Sequence, residues 1–149
     1  MSTQEHVYLY SPRKPAELAG ELASTIKMRI VDGERGETFL SRPLPDGSGD
    51  VGGELHRNDL ADPDSFAGAF ALVLDVGVTG GDRDQQIAEA RKLFTDLSES
   101  NLVAAALVRG HDFLIGFTSP STGLIWLPEG ITPYAEDRDV WLPLTAHLA

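Results

Sequence analysis

The sequence predicts an α+β (mixed α/β) domain, a single mixed β-sheet with two main helices. Three observations lead there. Apolar runs too short for helices alternate with two segments whose apolar residues recur every three or four positions. Gly, Pro and Asp clusters separate these segments. The 149 residues, 42% hydrophobic and 23% charged, suit one core. Residues 1–149 therefore read as one domain.

His6-Val7-Tyr8-Leu9-Tyr10 has strand composition, with Tyr8 and Tyr10 on one face and Val7 and Leu9 on the other. Ser11-Pro12 ends it, and Pro15 suits the first position of a helix. Leu18, Leu22 and Ile26, padded by Ala19 and Ala23, give that helix one buried stripe. Gly20 weakens it by about 1 kcal/mol relative to Ala. Lys27 to Val31 and Glu37 to Leu40 follow as strands around the turn Asp32 to Gly36. Residues 42–68 are punctuated by Gly and Pro and rich in Asp, so a long acidic loop is expected there, with room for a short strand or turn around Glu54-Leu55-His56.

Phe70-Ala71-Leu72-Val73-Leu74 starts the best-marked stretch. Asp82, with Gln85 three residues on, forms a capping-box pattern, and Ile87, Ala90, Leu93, Phe94 and Leu97 make the apolar face of the second helix. Leu102 to Val108 is expected to pair parallel with the preceding strand through a right-handed crossover. Arg109-Gly110-His111 then turns the chain into a hairpin return from Asp112 to Phe117, and Leu124 to Leu127 supplies a further strand. The order strand, helix, strand, turn, strand occurs twice, which suggests duplicated β-α-β-β units.

Composition narrows the function. A formal charge of −11 argues against nucleic acid, whose phosphates need a basic surface. No apolar run approaches membrane-spanning length and the N-terminus lacks a signal-peptide core, so no membrane partner and a cytoplasmic location are expected. The absence of cysteine removes disulfides and thiolate metal sites. Gly77-Val78-Thr79-Gly80-Gly81 lacks the lysine and hydroxyl of a phosphate loop and reads as a turn. No histidine pair has zinc-helix spacing, His56 with Asp59, Asp62 and Asp64 does not match a calcium loop, and Ser48 has no nucleophile elbow. No cofactor, metal or catalytic set is thus nominated.

The expectation is a non-enzymatic acidic module that binds a basic protein, concretely an immunity-type inhibitor of a cationic bacterial toxin, as a monomer or homodimer. Its contacts would be Asp46, Asp50, Glu54, Asp59, Asp62 and Asp64 in the long loop. Glu136, Asp137 and Asp139 would add to them, with Trp141 as an aromatic anchor. The alternative is a small-molecule-binding protein or enzyme with a pocket at the strand ends near Gly77 to Gly81 and His111.

Overall fold

A computed structural model describes residues 4–59 and 61–148. Its strands are β1 (Glu5–Tyr10), β2 (Arg29–Asp32), β3 (Thr38–Pro43), β4 (Asp50–Arg57), β5 (Leu72–Val78), β6 (Ala104–Arg109), β7 (Phe113–Ser119) and β8 (Gly123–Trp126). The helices are α1 (Pro15–Thr25), α2 (Arg83–Ser100) and the short α3 (Arg138–Trp141). All eight strands form one sheet in the order β2-β3-β4-β5-β1-β6-β7-β8, and the fold is α+β.

Every neighbouring pair in the sheet is antiparallel. The parallel pairing expected across α2 is therefore corrected: β5 and β6 do run in the same direction, but β1 lies between them and pairs with both. The duplicated order also fails to become a duplicated layout. After α1 the chain goes to the far edge and returns inward through β2, β3 and β4, whereas after α2 it continues outward through β6, β7 and β8.

The expected loop over 42–68 is corrected too: its middle is β4, an eight-residue strand that includes and outruns the short strand allowed for at Glu54-Leu55-His56. Val51 and Leu55 are buried on the helix side of the sheet. Gly52 and Gly53, which make the segment look irregular, are what close strand contact requires. A Cβ on Gly52 would lie 2.0 Å from the Leu40 carbonyl oxygen, and one on Gly53 2.2 Å from that of Asp75.

Both helices form where the apolar stripes place them. Pro15 stands at the start of α1, and the Asp82 carboxylate accepts the Gln85 N–H at 2.8 Å to cap α2. They pack on one face against Val7, Leu9, Leu40, Leu55, Leu74 and Leu107. The buried carboxylate of Glu5 lies on this side, 2.9 Å from Arg83 and 3.5 Å from Arg109. The opposite face carries a second cluster in which Phe66, Phe70, Phe117 and Trp141 meet. It is covered by a pass of chain over 61–71 and by the C-terminal stretch over 127–148, which carries α3. Among the described residues no helix is long and apolar enough to cross a membrane.

Candidate functional site

The alternation of β1 and β5 sends Val7, Leu9, Leu74 and Val76 to the helices and leaves His6, Tyr8, Val73 and Asp75 on the other face. His6 and Asp75 are direct cross-strand partners, and β4 brings His56 beside them opposite Val73. These residues line a cleft of about 780 Å³. One wall is the segment after β4. Asn58 holds it in place by donating from its amide to the Ala67 and Phe70 carbonyls at 2.8 and 3.0 Å. Pro133 and Tyr134 form the facing wall, tied across by the Phe66 N–H on the Pro133 carbonyl at 2.8 Å. His111, at the β6–β7 turn, closes one end.

Asp75 is the centre of the arrangement. Its Oδ1 is 2.8 Å from His6 Nδ1 and its Oδ2 2.9 Å from His56 Nε2, so one carboxylate serves two imidazoles. The second nitrogen of His56, Nδ1, lies 2.9 Å from the Arg57 carbonyl oxygen. Acceptors on both sides are satisfied together only when His56 carries both protons. Burial works against that charge, yet the Arg57 carbonyl, the Asp75 bond and the charges of Asp75 and Glu54 outweigh it, raising the His56 pKa above its ordinary value. Burial likewise opposes ionisation of Asp75. The bonds from His6 and His56, followed by their charges, prevail and hold its pKa below the usual carboxylate value.

An ionised Asp75 accepts from His6 Nδ1–H, which leaves Nε2 of a neutral His6 as an acceptor with no protein partner among the described residues. The His6 ring stacks on His111, with centroids 4.8 Å apart and planes at 17°. This is the geometry of a base steered by a carboxylate. Two phenols flank it. Burial, then Tyr134 and Asp75, raise the Tyr8 pKa; burial, then Asp112, Asp62 and Glu136, raise that of Tyr134. Both are hydroxyl donors at neutral pH, and Tyr134 already donates to the His111 carbonyl at 2.7 Å. Among the described residues no three His, Asp or Glu side chains gather as a group that could hold a metal ion.

The acidic residues singled out from the sequence are divided by the fold. Glu54, Asp59 and Asp62 line the cleft, and Glu136 stands close enough to Tyr134 to act on its hydroxyl. Asp64 is exposed on the same segment, where its N–H is bound by Asp62 Oδ1 at 2.9 Å. Asp46 and Asp50 lie in and beside the β3–β4 hairpin turn, outside the cleft lining. Asp137 receives the Thr132 N–H at 2.7 Å, and Asp139 is exposed on α3. Trp141 is not at the surface: it is 4% exposed, packs on Phe66 and donates its indole N–H to the Tyr134 carbonyl at 2.9 Å. Of the site expected near Gly77 to Gly81 and His111, only His111 lines the cleft, which sits on the sheet face rather than at the strand ends.

Sequence reasoning missed His6 and Asp75, and it placed His56 within the acidic loop, at most on a short strand or turn there. The available signal was polarity inside strands. Asp75 interrupts Leu72-Val73-Leu74-Asp75-Val76, and a charge there needs a partner on the same face. Comparison with protein-family models, curated proteins and solved structures returns no match for this chain.

Proposed function

We propose that the cleft binds a small molecule and that His6, steered by Asp75, exchanges a proton with it. The observation that carries this reading is the sharing of one carboxylate by two imidazoles at the floor of a cleft. A structural ion pair needs one histidine. A second imidazole on the same carboxylate keeps Asp75 ionised, and that fixes the His6 tautomer with Nε2 unpartnered. His6 and Asp75 would act on the ligand proton, His56 would hold the charge state, and Tyr8 would offer a hydroxyl. The test is a thermal-shift screen of a metabolite library on wild type and Asp75→Asn. Ligands of the cleft raise the wild-type midpoint and raise that of Asp75→Asn less. A library that leaves the wild-type midpoint unmoved, or moves both equally, overturns the reading.

A second reading keeps the acidic surface as a docking face for a basic cytoplasmic protein, as an immunity-type inhibitor would use. Its support is the acidic end of the molecule formed by Asp46, Asp50, Asp82 and Asp84, where the Thr79 N–H bonds the Asp50 carbonyl at 2.9 Å and joins the two turns. Capture of a basic partner that weakens with salt and with Asp46→Asn would support it; capture indifferent to both would sink it.

A further inference from the structure

We infer that the ligand of the cleft carries a cationic ammonium head on an apolar body, an inference that rests on the cleft being a ligand site. Two independent observations converge on it. The first is charge: Glu54, Asp59 and Asp62 line the cleft, while the His56–Asp75 pair cancels and Arg57 is the cation that remains. Asp112 and Glu136 add negative charge around Tyr134 at the mouth. Separate carboxylates in water contribute little, but a recess with apolar walls concentrates their field on whatever enters.

The second observation is a hydroxyl without a partner, carried into the cleft by a side chain that is otherwise buried. Tyr8 is 6% exposed and lines the cleft, and among the described residues its hydroxyl makes no protein hydrogen bond. The unpartnered groups, Nε2 of a neutral His6 and the Tyr8 hydroxyl, which can accept as well as donate, therefore belong to a recess rimmed by carboxylates. An ammonium is a donor only, so the His6 nitrogen, the lone pairs of the Tyr8 oxygen and the carboxylates can all accept from it. A carboxylate or phosphate ligand would instead face three like charges against Arg57, the single cation left over among the described lining residues. Val73, Val108 and Ala67 supply the apolar surface against which a hydrocarbon or aromatic body rests.

The experiment is chemical-shift mapping of the whole chain with three probes of one shape, 2-phenylethylamine, 2-phenylethanol and phenylacetate, at neutral pH and millimolar concentration. The amine is expected to shift cleft resonances at concentrations about tenfold lower than either other probe. Asp59→Asn with Asp62→Asn should remove most of that preference, because an asparagine can keep the turn in which the Asp62 side chain binds the Asp64 N–H. Asp46→Asn, outside the cleft, should leave the amine affinity unchanged. Tighter binding of the alcohol or the carboxylate at the cleft, or an amine preference that survives the double change, overturns the charge assignment and leaves the ligand-site reading standing. No cleft shifts with any probe overturns both.

Discussion

The two faces of the sheet grow from the same strands and end in opposite conditions. On the helix side, α1 and α2 cover a continuous apolar layer, and Glu5, the deeply buried acid there among the described residues, is met by two arginines. On the other side loop segments and the four-residue α3 do the covering. Half of that face closes over Phe66, Phe70, Phe117 and Trp141, and the other half stays open above His6, Tyr8, His56 and Asp75. A helix satisfies its own backbone and can lie flat on a sheet. A loop must find partners for its N–H and C=O groups, as Asn58 does for Ala67 and Phe70, and it leaves gaps where it cannot. The face that lacks long helices is therefore where polar side chains remain within reach of a ligand.

The largest effect that would break this comparison comes from the rings. Phe94→Ala on the helix side and Phe66→Ala on the loop side should each destabilise by about 3–5 kcal/mol, since both side chains are fully buried. A loss at Phe66 well below 1 kcal/mol in denaturant unfolding would mean that the loop face is not a core at all. Next in size is Asp75→Asn. It should cost about 1–2 kcal/mol near pH 6, at the low end for charged hydrogen bonds because His56 is partly solvated, and it should lower the His56 pKa in an NMR titration. An unmoved His56 titration would remove Asp75 from its role.

The pH profile sharpens the same point. Since the folded His56 pKa is raised, its contribution is complete below the unfolded value of about 6.5 and is lost as pH climbs through the folded one. Since the folded Asp75 pKa is lowered, its contribution is complete above about 3.9 and is lost as pH falls through the folded value. The stability carried by this pair should therefore be greatest between about pH 4 and 6.5, and Asp75→Asn should flatten the urea-midpoint curve on both sides of that window. Parallel curves for the two proteins would contradict the assignment. The smallest effect is Tyr8→Phe, expected within about 0.5 kcal/mol of wild type because no protein bond is lost. A larger penalty would reveal a hydrogen bond of the hydroxyl within the protein.

Local chemistry was legible, and pairing over distance was not. The Asp82 cap, Pro15 and the stripe of Ala90, Leu93, Phe94 and Leu97 depend on neighbours within a turn or two, and all appear as the spacing implies. The opposed faces of Val7 and Tyr8 follow from strand period alone. Which strands become neighbours depends on contacts between remote segments, so β1 between β5 and β6 left no local trace. The site suffers from the same cause. His6 and Asp75 are 69 positions apart and His56 and Asp75 are 19 apart, and no spacing rule connects them. In β4 the glycines that permit close strand contact were the very residues that suggested a loop.

The central position of β1 has a consequence for how the molecule is made. Val7 finds its two neighbours in Leu74 and Leu107, so a chain emerging from the ribosome must carry its future middle strand unpaired until β5 and then β6 have followed it out. During that interval the hydrophobic β1 is exposed to chaperones and to mispairing with other nascent chains, and slowing translation before β6 would prolong the exposure.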